Sequence, residues 1–500
     1  MQRISSLTLF LLIIVAVAMM AFSGCAAAGD NKVAANSEGG KIPVTTSSDE
    51  AKKEFLAGRD LAEKLQITDS LQHYDKAITL DPNFASAELN RATSSATAKE
   101  FFDHLKIAVS LADKASHGER LLILGAEAGA NGNTARQQEY LTQLVAAYPN
   151  DERAHFNLGG YYFGQQDFTK AIEHYKRATE INPTYSTAFN ILGYAYRQNS
   201  DYANAEAAFK KYVELIPKDP NPYDSYAELL LKMGRFDESI TQYRKALEID
   251  PKFINSHFGI GAALMYQGKP DEAAAELHKI TEKARTDGER RTALFGLTVV
   301  DVDNGKWDKA LEEVDQQYAL GEKTSDIPAM IGDLGLKGNI MLEMGKYDEA
   351  KELFARALKM TEDSNQSPEI KANTRLFDHF NLARVALGKK DLATAKSEAA
   401  AFQKGAEASK NPNQTKVAHS LNGSIALAEK DYDKAIAELA QANSQNPQDL
   451  YRQCEAYQGK GDFAKAKDSC TKVAGFNSLP AINLAFVRVK ASKQATAAKG

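Results

Sequence analysis

Four prolines, Pro149, Pro183, Pro217 and Pro251, stand 34 residues apart. Between them one pattern recurs: a small residue, an aromatic, a polar turn, then alanine, aromatic, alanine. A fixed period of this length predicts a stack of two-helix repeats rather than one closed core. Such an array grows by adding repeats, so a chain of 500 residues need not divide into unrelated domains.

Within 152–185, His155, Leu158, Gly159 and Tyr162 fall at i, i+3, i+4 and i+7, one face of a helix. Gln165-Gln166-Asp167 interrupts it. Phe168, Ala171, Tyr175 and Ala178 repeat the spacing on a second helix. Pro183 ends that helix, because proline lacks an N–H and restrains the residue before it. Gly159 and Ala171 let the two helices approach, and Tyr162 and Tyr175 fill the space between them. The same positions return as Phe189, Leu192, Gly193, Tyr196, Ala205 and Phe209, and again as Tyr223, Ala227, Leu230, Gly234, Phe236 and Tyr243.

This pattern resembles the tetratricopeptide repeat (TPR) family, strongly over 152–270 and more loosely over roughly 430 residues. The resemblance implies an all-α fold: a right-handed TPR superhelix, an α-solenoid of antiparallel helix pairs, with first helices lining a concave groove. Gly-Glu-Arg recurs at 118–120 and 288–290, five periods apart. Past Gly288 the turn markers Gly305-Lys306, Gly345-Lys346, Lys390-Asp391, Lys430-Asp431 and Gly461-Asp462 are 40, 45, 40 and 31 residues apart. Thr361 to Asn373 reads as an inserted loop. Ala85 to His117 is a degenerate repeat. The expected organisation is a regular array over 51–287, a looser one over 288–480, a capping helix over 481–490 and a disordered tail over 491–500.

The N-terminus differs. Arg3 precedes an apolar run from Leu7 to Phe22, which reads as the core of a secretion signal. Phe22-Ser23-Gly24-Cys25 resembles a bacterial lipobox, which implies lipidation of Cys25 after removal of the signal peptide, 1–25; a plain cleaved signal and an uncleaved anchor are the other readings. Ala26 and Ala27, with no Asp after the Cys, imply sorting to the outer membrane, facing the periplasm. The polar, aperiodic stretch 26–50 reads as a flexible linker.

No nucleotide-binding, hydrolase or metalloprotease motif is present, and no C-x-x-C. No catalytic residue, metal or cofactor is therefore expected. The net charge of -5 is spread without a basic tract, which argues against a nucleic-acid partner. His155, His257, His379 and His419 sit at one repeat position and read as packing residues with a polar tip. Cys454 and Cys470 are equidistant from the Gly461-Asp462 turn and face into the hairpin. They are either a disulfide, worth about 3 kcal/mol by loop closure, or two buried thiols.

The groove is the remaining candidate site. Its first-helix residues include Arg153, Phe156, Phe163, Asn190, Tyr194, Arg197, Asp224 and Phe258, whose amides and aromatics suit an extended peptide. The expected function is a non-catalytic scaffold or adaptor of the cell envelope that binds a protein or peptide. The alternative is a TPR-built glycan-capture lipoprotein partnering an outer-membrane transporter; Trp307, Tyr318 and Phe377 would be its aromatic contacts. Replacing Cys25 with Ser should move the protein from the membrane to the soluble fraction. Retention in the membrane would show that attachment does not depend on that thiol.

Overall fold

The computed structural model describes residues 40–497 apart from Leu65, Ala96, Thr97, Arg285 and Ser367. The signal peptide, Cys25 and most of the expected linker lie outside the described residues, as do 498–500. The described residues form an all-α solenoid without strands. They fall into two compact units, the first through Leu229 and the second from Leu230.

Unit 1 holds five hairpins: α1 (Asp49–Glu63) with α2 (Ile67–Leu80), α3 (Ala85–Thr93) with α4 (Ala98–Leu111), α5 (His117–Ala130) with α6 (Thr134–Ala147), α7 (Glu152–Gly164) with α8 (Phe168–Ile181), and α9 (Ser186–Gln198) with α10 (Tyr202–Leu215). The division falls inside α11 (Asn221–Lys232), which is followed by α12 (Phe236–Ile249). Unit 2 continues with α13 (Ile254–Tyr266) and α14 (Pro270–Lys283), α15 (Asp287–Asp303) and α16 (Trp307–Thr324), α17 (Ile327–Glu343) and α18 (Tyr347–Asp363), α19 (Pro368–Gly388) and α20 (Leu392–Ser409), α21 (Pro412–Ala428) and α22 (Tyr432–Leu439), and α23 (Pro447–Lys460) and α24 (Phe463–Ala474). Two short helices, α25 (Ile482–Ala485) and α26 (Arg488–Ala497), end it.

One backbone device makes every regular hairpin. The residue before the second helix's N-cap is left-handed: Gly132, Gln166, Ser200, Gly234, Gly268, Gly305, Gly345, Lys390, Lys430 and Gly461 all have φ between 62° and 84°. Where that residue is not glycine, the conformation costs about 1–2 kcal/mol. In five of these ten hairpins an aspartate then caps the second helix. Asp167, Asp201, Asp391, Asp431 and Asp462 each accept a backbone N–H three residues on.

In several hairpins a ring of the second helix is pressed onto the first helix, and in α5–α6, α13–α14 and α21–α22 a leucine (Leu141, Leu277, Leu439) takes its place. Tyr175, Phe209, Phe354 and Phe402 are buried at that position. A methyl built on Gly193 would lie 2.8 Å from the Phe209 ring, and one on Gly338 would lie 2.5 Å from that of Phe354. Both are closer than packed carbon atoms approach, so glycine here is a matter of space.

Three expectations need correction. Thr361–Asn373 is not a loop: α18 runs to Asp363 and α19 begins at Pro368. The register loosens because helices lengthen, to 17 residues in α18 and 21 in α19 against 14 in α8. The chain is not a free linker up to residue 50. From Gly40 it lies along three hairpin junctions, where Ile42 N–H donates to Asp151 (2.9 Å), Thr45 N–H to Glu119 (3.0 Å) and Ser47 N–H to Asp81 (2.9 Å). The chain after Lys490 is not frayed but helical through Ala497, with Ala491 fully buried.

Gly193→Ala should destabilise the protein by about 1–3 kcal/mol, the usual cost of overpacking. A lower urea midpoint would show it. An unchanged midpoint would mean that the ring and helix can part without penalty.

Candidate functional site

The inner face of unit 1 carries the residues that the sequence singles out. Phe156, Asn190 and Asp224 share one repeat position, on α7, α9 and α11, so they form a row across successive repeats. Arg153, Phe163, Tyr194 and Arg197 flank that row. None of these seven is exposed.

Both arginines are internally paired. Arg153 meets Glu63 at 2.7 Å and Glu152 at 2.6 Å, with its guanidinium 5.8 Å from the Tyr185 ring. Those carboxylates lift its pKa against the opposing effect of burial, the largest single influence. Arg197 meets Glu228 at 3.0 Å and covers the Tyr194 ring at 4.6 Å. Phe156 packs between Tyr175 and Tyr185, at 5.6 and 5.3 Å, and Phe163 meets Phe168 edge-on.

The row is packed and internally paired. Asn190, Tyr194 and Asp224 are buried, and the C-terminal end of α1 reaches the starts of α7 and α9. Ser186 Oγ donates to the Glu63 carbonyl at 3.1 Å, and Thr187 does the same. One group is left over: Asn190 Oδ1 is buried and accepts no hydrogen bond.

In unit 2, Phe258 on α13 is half-buried, its ring against Gly296 of α15. The aromatics proposed for a glycan are also engaged. Trp307 stacks on Phe486 at 6.4 Å, Phe377 packs on Phe402 at 5.4 Å, and Tyr318 packs against the Leu334–Leu353 cluster. Cys454 and Cys470 are bonded to each other, with Sγ atoms 2.06 Å apart. A cleft of about 410 Å³ opens beside α22, which stops after 8 residues; Gln403, Glu407, Asn422 and Lys434 line it.

The histidines have partners that spacing alone did not reveal. His257 meets Glu276 at 2.6 Å, His379 meets Glu398 at 2.6 Å, and His419 meets Glu438 at 2.7 Å. Each pair is 19 residues apart, because those two positions lie level in the hairpin. Glu54 and His73 form the same rung with the types exchanged. At 155 and 174 both are histidine, with Nδ1 atoms 3.1 Å apart. His155 Nε2 lies 3.1 Å from the Pro149 carbonyl, to which it donates; its Nδ1 must then accept, and His174 Nδ1 must donate. Burial lowers the pKa of both rings, and for His174 the neighbouring His155 lowers it further. In unit 2, burial and then Asp301 push the Glu313 carboxyl up to about 8. That pair sits inside the α15–α16 hairpin, with Lys309 Nζ 2.8 Å from Asp301. Among the described residues no group of three or more His, Cys, Asp or Glu is placed to hold a metal.

Known proteins share this repeat. Tetratricopeptide repeat models match residues 152–185, 174–207, 258–326 and 334–364, and a TPR repeat model matches 227–268. A stretch of 142 residues is 30% identical to the anaphase-promoting complex subunit CDC16 of Saccharomyces cerevisiae. It takes in 27% of this chain and only 17% of that protein's length. Among solved structures, a MamA protein is 25% identical with TM-score 0.30, covering 33% of this chain and 91% of that one. A tetratricopeptide repeat protein from Parabacteroides merdae is 17% identical with TM-score 0.38, covering 52% and 99%.

The histidine pair predicts a pH effect. A buried His with a lowered pKa binds protons less readily than in the unfolded chain, so stability is lost as pH falls below about 6.5, the unfolded value. His174→Glu installs the rung found at 257 and 276. Its drop in Tm between pH 7 and pH 5 should be smaller than the parent's; an equal drop would place the acid sensitivity elsewhere.

Proposed function

Because this chain is built from tetratricopeptide repeats, we propose that it is a non-catalytic scaffold or adaptor that holds a protein or peptide partner on the inner face of unit 1. The observation that carries the reading is Asn190. Its amide oxygen is buried without a donor, in a row with Phe156 and Asp224. An unpaired buried acceptor costs about 1–3 kcal/mol, which a peptide N–H would recover once the side chains that cover Asn190 move aside. The neighbouring half-buried rings, Phe156 and Phe163, are the residue type that anchors peptide side chains.

Lipidation of Cys25 would tether this scaffold to the cell envelope, with the outer membrane facing the periplasm as its place of work. Tethering raises the local concentration of scaffold and partner, so modest affinity is enough. A bonded Cys454–Cys470 pair fits the oxidising compartment that such export implies.

The test uses a photoreactive residue in place of Phe163, in intact cells. A protein partner should be cross-linked, and Asn190→Leu should abolish the cross-link without lowering stability, because leucine removes the unpaired oxygen and keeps the bulk. Recovery of no protein partner would count against the reading and favour a carbohydrate ligand instead. A cross-link indifferent to Asn190→Leu would leave the partner but refute the role of the row.

A further inference from the structure

After its last hairpin, unit 2 does not add another repeat. From Gly475 the chain returns along the C-terminal ends of α11, α13, α15 and α17, and α26 ends against α23 and α24. It is read in order by one residue from each of four successive repeats. Lys232 Nζ donates to the Phe476 carbonyl at 2.5 Å, with the ammonium 3.7 Å from the Phe476 ring. Tyr266 Oη donates to the Ser478 carbonyl at 2.5 Å. Asp303 takes both arms of Arg488, with Nε at 2.7 Å. Glu343 meets Lys490 at 3.2 Å.

These four readers share one position. Each lies two residues before the left-handed turn residue of its repeat: Gly234, Gly268, Gly305 and Gly345. At that position the repeats not crossed by the segment have Ala130, Gly164, Gln198, Gly388, Ala428 and Gly459. Apart from Gln198, these have no side chain that could reach a ligand. Functional groups thus occur at this position where the segment passes.

Between the polar contacts the segment presents apolar side chains. Leu479 packs beside Leu231, Phe236 and Tyr266. Leu484, Phe486 and Val487 are buried among Val299, Val300 and Val302. Phe486 stacks on Trp307, with 15° between the rings. Two backbone carbonyls held by side chains, an aromatic anchor, and two cations on two carboxylates make a peptide-recognition pattern.

We propose that residues 476–491 are an intramolecular ligand of unit 2. The row Lys232, Tyr266, Asp303 and Glu343 is a peptide-reading surface held closed by the chain's own C-terminal segment. A partner for this face is a peptide of the same chemistry: an extended stretch, then an aromatic with basic residues two and four positions on, as in Phe486, Arg488 and Lys490. It has to displace a competitor that is covalently attached and therefore present at high effective concentration. The inference rests on reading first-helix faces as binding surfaces, but it concerns a different row from Asn190.

The experiment uses the full chain and a fluorescein-labelled synthetic peptide of residues 476–497. The parent protein should bind this probe weakly, because the face is occupied. The double variant R488E/K490E leaves the four readers intact and weakens the resident segment, so it should bind the probe at least tenfold more tightly. Trp307 is the only tryptophan. Its emission should shift to the red in the variant and return when the probe binds. Reversing the readers as well, in D303R/E343R/R488E/K490E, should restore closure, return the emission to the blue and exclude the probe. Probe binding no tighter in R488E/K490E than in the parent, with or without a shift of emission, would overturn the proposal and leave the segment a permanent cap. That failure would not touch the unit 1 reading, which is scored by cross-links from Phe163.

Discussion

A bulky side chain, ring or leucine, driven into the backbone of the neighbouring helix is the contact on which the rest depends. Phe209 against Gly193 and Phe354 against Gly338 leave no room for a Cβ. That contact sets the separation of the two helices, and the short turn with its left-handed residue makes them antiparallel and fixes their stagger. Once the stagger is fixed, every other position in the hairpin has a defined neighbour. That is why His257 and Glu276 meet and why His379 and Glu398 meet in a longer hairpin; in the last hairpin Cys454 and Cys470 take the two contact positions themselves and are bonded.

The same constraint converts sequence position into place on the inner face. A residue type repeated at one position becomes a row across repeats, and a ligand lying across the hairpins meets one member of the row at a time. Unit 1 has such a row in Phe156, Asn190 and Asp224; unit 2 has one in Lys232, Tyr266, Asp303 and Glu343. In both units part of the inner face is taken by the chain itself. The end of α1 pairs with Arg153 in unit 1, and the C-terminal segment covers Val299 and Val302 in unit 2. An inner face that leaves apolar and charged groups uncovered is costly in water, and both units cover part of theirs with distant segments of the same chain.

What could be read beforehand follows from the reach of the signal. The period, the turns and the pairing of Gly159 with Tyr175 are local, within one hairpin, and the spacing shows them. The proximity of Cys454 to Cys470 is local in the same sense. Arg153 and Glu63 are 90 residues apart, and no periodicity links them, so the arginine looked free. Gly40 to Ser48 has the composition of a linker; what holds it is a set of carboxylates, Asp81, Glu119 and Asp151, that its own sequence does not mention. Residues 491–497 look like a frayed end because their alanines and lysines carry little apolar pattern, yet Ala491 is buried and Gln494 Nε2 donates to Tyr451 Oη at 3.0 Å. One miss was avoidable. Aligning the repeats on their turn residues would have shown Lys232, Tyr266, Asp303 and Glu343 in a column otherwise filled mainly by glycine and alanine.

The central claim is that the chain's own segments are integral occupants of its inner faces. Amide hydrogen exchange along the intact protein tests it most directly. Peptides from 482–491 should exchange as slowly as those of α15, on which they lie, and the Ile42, Thr45 and Ser47 amides should be slowed as well. Exchange of 482–491 at the rate of a free peptide, with α15 still protected, would contradict the account.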